Sequence, residues 1–500
     1  LLWDDAAELP LVQQGPRLHP ELVACAMHPQ GLWPGTRLLE SQTLPPGLLE
    51  AVHQQASTLR GVSRATLVLR SVDASEANAV AAAIARCLMR KPVWLGSERI
   101  DPAQGVWCEL SCHLPVLAAE AAPGETVRLP SLPGYSGPLL VVAGPEGRFS
   151  REDGSVDSWR IPVTGSGERA ELWRDALPEL DDADLGERYR VGAQRIQALA
   201  QRARRQAQLE GREVCPGDVR RAAWGDLQAL GGLAEPVSHD VPDAALVLRD
   251  ATRDELDNLV RRCRRREDLA DGLGVTLRTR YQSGVRALFF GPSGTGKTLA
   301  AAWLATRLGL PLYRVDSAAV SSKYIGETEK NLARLLASAE ADDVVLLFDE
   351  ADALFGKRTD IKDSNDRFAN AQTNFLLQRI ESYDGIVVLT SNSRQRLDAA
   401  FTRRLDVILE FPAPGPEERR NLWLSHLGER HSLRPNELNM LAACCDISGG
   451  QIRNIVLDAA VRAGTDAIDC ALLCQAVAAE YRKQGKPVPG EVRQFLADTP

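Results

Sequence analysis

From about residue 285 onward, short runs of β-branched and aromatic residues alternate with stretches whose apolar positions recur every three or four residues. The runs 287–290, 312–315, 344–348 and 386–390 predict buried strands, and 299–308, 328–340 and 370–381 predict helices. Strands separated by helices imply a parallel sheet covered on both faces. After Pro416 the pattern is helical only (417–427, 438–443, 450–463 and 468–483), broken at Gly449-Gly450 and Gly464, so a small helical domain is expected to follow the α/β domain.

A long-period echo runs through the chain. Ile161-Pro162-Val163-Thr164-Gly165-Ser166-Gly167-Glu168-Arg169-Ala170-Glu171-Leu172-Trp173 aligns without a gap on Phe411 to Trp423, with six identities. Tyr135-Ser136-Gly137 echoes Tyr383-Asp384-Gly385, and Gly192-Ala193-Gln194 echoes Gly449-Gly450-Gln451. A period near 250 residues is too long for a solenoid and implies two tandem copies of one α/β-plus-helical pair. The expected division is an incomplete N-terminal region (1–60), a first α/β domain (61–150) with its helical lid (151–235), a helical linker (236–284), a second α/β domain (285–410) and its lid (411–500).

Composition narrows the class. An apolar content of 44% with 25% charged residues suits a packed chain, and the longest apolar runs fall far short of a membrane span. With 59 basic and 67 acidic residues the net charge is −8, which disfavours non-specific binding to nucleic acid or anionic lipid. The arginine-rich stretches 195–221 and 261–266 are interleaved with Glu, Gln and Asp, as on solvated or subunit-contact helix faces. Ten cysteines, with the close pairs Cys108/Cys112, Cys444/Cys445 and Cys470/Cys474, read as reduced core thiols of a cytoplasmic protein. Cys108-x3-Cys112-His113 resembles half a metal site, but no second half of comparable spacing follows. The chain opens Leu1-Leu2-Trp3, without Met or a basic leader, so no targeting segment and some missing upstream residues are expected.

Gly291-Pro292-Ser293-Gly294-Thr295-Gly296-Lys297-Thr298 joins a predicted strand to a predicted helix. Glycines let backbone N–H groups approach a phosphate chain, and the helix presents its positive end. Lys297 would neutralise phosphate, and the Thr298 hydroxyl would hold Mg²⁺. The apolar run 344–348 leads into Asp349-Glu350. Period-two strand geometry sends the adjacent side chains in opposite directions, so the pair can divide its roles, Asp349 to Mg²⁺ and Glu350 to the attacking water; a helix N-cap acid pair is the alternative. Asn392, ending the run that begins at Ile386, is expected beside the acidic strand, where it can orient water but not take its proton. A turn-forming Asn is the alternative.

Taken in order, Gly291 to Thr298, Asp349-Glu350, Asn392 and Arg403-Arg404 resemble the AAA family of ATPases over about 247–487. The resemblance implies ATP and Mg²⁺, a homo-oligomeric, hexameric ring, and Arg403 and Arg404 as arginine fingers completing a neighbouring subunit's site. It also implies that Gly449 and Gly450 meet nucleotide, with Arg453 near phosphate. Tyr324-Ile325-Gly326, within Ser322 to Asn331, is similar to the family's pore loop, whose aromatic residue grips an extended protein substrate; the charged loop 359–366 is expected to face solvent or the same channel. In the first module the strand 65–69 runs into Arg70-Ser71-Val72-Asp73-Ala74-Ser75-Glu76-Ala77, with neither glycine nor lysine, so this copy is expected to be degenerate and non-hydrolysing. The arrangement, with Phe355-Gly356-Lys357-Arg358 and Asn454-Ile455-Val456, is most similar to the AAA ATPases of extracellular contractile injection systems, which implies handling of effectors or of particle assembly. A nucleotide-switched scaffold and, less favoured, a nucleic-acid motor or loader are the alternatives.

Overall fold

The computed structural model describes residues 19–27, 31–40, 42–96, 100–152, 154–180, 184–224, 230, 232–237, 240–316, 320, 327–351, 375–393 and 402–498. The chain divides into two compact units, residues 1–222 with 336–342, and residues 223–335 with 343–500. Among the described residues no helix is long and apolar enough to cross a membrane.

The first unit contains strands β1 (Arg37–Leu38), β2 (Thr66–Arg70), β3 (Lys91–Trp94), β4 (His113–Ala118), β5 (Thr126–Arg128), β6 (Leu139–Ala143), β7 (Arg148–Ser150) and β8 (Val156–Arg160). Six of them form a sheet in the order β1-β3-β4-β6-β2-β8, parallel except for β1, while β5 and β7 form a separate ribbon. The second unit contains β9 (Ala234–Pro236), β10 (Val285–Phe290), β11 (Leu312–Val315), β12 (Val345–Phe348), β13 (Ile386–Ser391) and β14 (Val407–Glu410). Their order is β14-β10-β13-β12-β11-β9, again parallel except at β9. Read from the antiparallel edge, the two sheets have the same order and directions. Fully buried runs such as Leu139–Ala143 and Val345–Phe348 sit at the centre, as a sheet covered on both faces requires.

The edge strands come from segments whose sequence does not look like sheet. Arg37–Leu38 pairs with β3, and the helix Pro46–Leu59 buries Leu48, Val52, Ala56 and Leu59, so these two segments before residue 61 are part of the first unit's sheet and core. Likewise β9 pairs with β11, and the helix Asp250–Arg264 buries Leu256, Leu259, Val260 and Cys263 in the second unit.

The echoed residues are those that packing needs. Tyr135 and Tyr383 are buried, and each lays its ring against the glycine two residues on, so closely that a Cβ would lie 2.7 Å from a ring carbon on Gly137 and 2.3 Å from one on Gly385. Trp173 and Trp423 are buried on the helices Ser166–Ala176 and Pro416–Leu427. Four residues before each, Arg169 and Arg419 are buried and satisfied by backbone carbonyls: Arg169 donates to Gly186 and Thr164, Arg419 to Ala442 (2.8 Å) and Pro414 (3.1 Å). A buried guanidinium is tolerated where its N–H groups find acceptors, and here it ties the helix to the loop before it and to a neighbouring helix, Leu185–Arg188 or Pro435–Cys444.

After β14 the second unit is helical, with Pro416–Leu427, Pro435–Cys444, Gly449–Ala463, Cys470–Lys483 and Gly490–Asp498 sharing one core. All ten cysteines are free, but Cys112 is exposed. The Cys108/Cys112 pair is therefore not a core pair, because the chain turns left-handed at Cys112 on its way into β4.

Candidate functional site

β10 delivers the chain into a six-residue loop, 291–296, and the helix Lys297–Leu308 begins directly after it. Gly294 is left-handed (φ 78°), and a Cβ there would lie 2.5 Å from Ser448 Oγ; Gly296 is left-handed (φ 93°) with no atom within 4 Å of where a Cβ would stand. The loop thus touches the lid on one side and leaves an open cradle at the helix N-terminus, which suits a phosphate chain. Lys297 is only 8% exposed. Its ammonium donates to Gly291 O (2.7 Å), Pro292 O (2.9 Å) and Asn392 Oδ1 (3.2 Å). The last contact arises because β13 lies between β10 and β12, pairing Phe290 with Ser391.

The acidic pair sits differently from the strand-alternation expectation. β12 ends at Phe348, so Asp349 and Glu350 occupy a turn; Glu350 is left-handed (φ 52°), and both residues line the same cavity. Alternation stops where pairing stops, and the turn separates the two side chains instead. The Thr298 hydroxyl lies 3.2 and 3.3 Å from the Asp349 carboxylate oxygens. A hydroxyl and a carboxylate side by side are the hard oxygen donors that Mg²⁺ prefers, so this pair fits the ion. Sequence reasoning missed Thr390, whose buried hydroxyl donates to Asp349 Oδ1 (2.5 Å) and accepts the Glu350 N–H (3.0 Å). The available signal was a hydroxyl inside an otherwise apolar buried strand.

The lid closes over this loop. Gly450 donates its N–H to Gly294 O at 3.0 Å. Ser293 to Thr298, Asp349, Glu350, Asn392, Gly449, Gly450 and Arg453 all line one cavity of about 770 Å³. Ala245 to Leu248, Pro412, Leu422 and His426 line the same cavity, a contribution that local motifs do not reveal. Burial, and then the charge of Arg453, lower the His426 pKa and favour the neutral ring.

Arg403 and Arg404 are exposed and do not line this cavity. Arg404 Nε lies 3.1 Å from Glu381 Oε2 on the surface. Their turn is anchored by Asp406, which accepts from Arg262 (2.6 Å), from Arg286 Nε (2.8 Å) and from the Arg286 backbone N–H (3.0 Å). Tyr324, Ile325 and Gly326, and the loop 359–366, lie outside the described residues.

The corresponding place in the first unit is built for something else. Three residues, 71–73, replace the six-residue loop between β2 and the helix Ala74–Cys87. The Asp73 carboxylate accepts the N–H groups of Ser75 (2.8 Å) and Glu76 (3.4 Å), using helix-end donors that a phosphate would need. Ala118 pairs with Val142, the position equivalent to Asp349 beside Thr390 when both sheets are counted from Gly137 and Gly385. Ala119 then donates to Val142 O (3.1 Å), the bond that Ala351 makes to Thr390 O (2.8 Å). Glu350 is thus an inserted residue with no counterpart in the first unit, and Gly144 stands in the place of Asn392.

A parallel sheet whose central strand feeds a glycine loop, with a helical lid over it, defines a nucleotide-binding α/β domain of the phosphate-loop class. Residues 287–413 match the model of the ATPase family associated with various cellular activities (AAA), and this segment is an AAA-family ATPase domain. The chain is similar to an uncharacterized AAA family ATPase, y4kL, of Sinorhizobium fredii (36% identity over 171 residues, 34% of this chain and 49% of that protein). It is also similar to proteasome-activating nucleotidase 2 of Halobacterium salinarum (30% over 187 residues, 36% and 46%). A third relative is fidgetin-like protein 1 of Xenopus laevis (31% over 182 residues, 35% and 28%). The chain spans about half or less of the length of these relatives.

Proposed function

We propose that the protein is a Mg²⁺-dependent ATPase of ring-forming type that remodels or threads a protein substrate. The observation that carries the proposal is the single cavity joining Ser293 to Thr298, Asp349, Glu350, Asn392 and Arg453 beneath a lid that bonds to the loop. Gly291 to Thr298 bind the phosphates, with Lys297 exchanging carbonyl partners for phosphate oxygens. Mg²⁺, held by Thr298 and Asp349, would neutralise charge on the transferring phosphoryl group. Glu350 takes the proton of the attacking water and Asn392 orients it. Arg403 and Arg404, exposed and not lining their own cavity, serve the site of a neighbouring copy in a homo-oligomer, hexameric by the family pattern. The first module does not hydrolyse: its helix end is capped by Asp73, and it lacks both acids.

The name of the proteasome-activating relative supports a protein substrate. Tyr324, with Ile325 and Gly326, would grip it. The finer reading, service to a contractile injection particle or its effectors, rests on the motif resemblance alone, and the cytoplasmic location rests on the reading of the cysteines as reduced thiols.

The deciding experiment measures ATP turnover against protein concentration for wild type and Glu350→Gln. Turnover should rise as the chain assembles, and Glu350→Gln should bind ATP without turning it over. Equal specific activity in dilute, monomeric protein would sink the shared-site reading, and undiminished turnover by Glu350→Gln would sink the role of that acid. Tyr324→Ala separates the motor from a nucleotide-switched scaffold: a motor loses substrate processing while hydrolysing ATP, and a scaffold is indifferent.

A further inference from the structure

Three consecutive residues of the acidic turn hang on one threonine. Thr390, 2% exposed, donates its hydroxyl proton to Asp349 Oδ1 (2.5 Å), accepts the Glu350 N–H on the same oxygen (3.0 Å), and accepts the Ala351 N–H on its carbonyl (2.8 Å). A hydroxyl has one proton to give. With that proton committed to the carboxylate, its lone pair is what remains for Glu350, and the two bonds polarise each other along one line.

Glu350 needs such a partner. Its left-handed backbone (φ 52°) is uncommon for a residue with a Cβ, and such conformations persist where surrounding bonds over-determine them. The insertion of Glu350 takes its N–H out of the regular ladder, because Ala351 makes the ladder bond to Thr390 O. The Thr390 hydroxyl receives the displaced N–H. In the first unit the equivalent residue is Val142: no extra residue needs a partner, Ala118 replaces the first acid, and the hydroxyl is gone. The buried valine in that setting shows that packing at this strand position does not require a hydroxyl.

We propose that Thr390 is a positioning residue for hydrolysis, fixing the Asp349 carboxylate beside Thr298 and the backbone turn that aims Glu350. The inference rests on reading this cavity as the ATP site. It is tested with Thr390→Val, which keeps the shape, and Thr390→Ser, which keeps the hydroxyl. Two readouts are taken: steady-state ATP hydrolysis, and equilibrium binding of a fluorescent ATP analogue with and without Mg²⁺ in the Glu350→Gln background.

Thr390→Val should lower kcat about 10- to 100-fold, as expected for a misaimed catalytic group, with KM changed by no more than about twofold. Thr390→Ser should recover kcat to within about threefold, since the hydroxyl and its bonds return. In the binding assay, Thr390→Val should reduce the gain in affinity that Mg²⁺ brings, leaving Mg²⁺-free binding unchanged. Wild-type kcat in Thr390→Val, alongside an inactive Glu350→Gln control, overturns the proposal and leaves the ATPase reading standing. A silent wild type overturns the hydrolysis reading, and the Mg²⁺ comparison then decides whether Thr390 holds Asp349. Equal loss of binding with and without Mg²⁺ marks a merely structural threonine and also overturns the proposal.

Discussion

Glu76 offers a pH-dependent test of how the first unit is closed at the place where the second has its phosphate loop. It lies in the first turn of the helix Ala74–Cys87 and is 9% exposed. A Cβ built on Gly192, which precedes the helix Ala193–Leu209, would lie 2.8 Å from its Oε1 and 3.7 Å from Asp73 Oδ2. Burial first, and the charge of Asp73 second, push its pKa from 4.5 up to about 7. The folded state therefore binds this proton more tightly than the unfolded chain does. The contribution to stability is greatest below about pH 4.5, falls as pH rises toward 7, and becomes a constant penalty above that. That interval corresponds to about 3 kcal/mol. Glu76→Gln carries no charge at any pH, so it should stabilise the first unit by up to about 3 kcal/mol at pH 8, or roughly 6–10 °C in Tm, and by little at pH 5. Urea denaturation of both proteins at pH 5, 6.5 and 8 measures this directly. A stability difference independent of pH, or a variant weaker than wild type at pH 8, would refute the reasoning.

Two further substitutions probe the second unit. Asp406→Asn removes the charge that pairs Arg262 and the buried Arg286 and should cost about 2–4 kcal/mol in chemical denaturation. A loss under about 0.5 kcal/mol would mean that water or other partners replace the carboxylate. Because Asp406 anchors the turn carrying Arg403 and Arg404, turnover of the assembled protein should fall as well. Gly294→Ala places a methyl 2.5 Å from Ser448 Oγ in a left-handed conformation, so it should push the lid away and weaken ADP binding about tenfold, with strain on the order of 1–2 kcal/mol. Unaltered affinity in a fluorescent ADP titration would show that the loop and lid have slack.

The local elements and the motifs that line the cavity were legible in the chain itself. Apolar runs located β10 to β13, and helical periodicity located the lid. The Gly291 to Thr298 loop, the acidic pair and Asn392 could be picked out because each is a short motif at the end of an apolar run, and the fold brings residues of all three to one cavity. The placement of β13 beside β12 also followed the expected order of a parallel sheet, whereas its pairing with β10, which brings Asn392 to Lys297, came from the structure. Tertiary structure decided what depends on distant partners. β1 and β9 are sheet strands because β3 and β11 offer unpaired edges to them, while their own few residues carry little strand signal. Glu350 turns left-handed instead of continuing a strand because pairing ends at Phe348 and Thr390, some forty residues later, captures its N–H. Gly144 and Ala118 become recognisable as the emptied counterparts of Asn392 and Asp349 only through strand register, and register is set by pairing across the sheet.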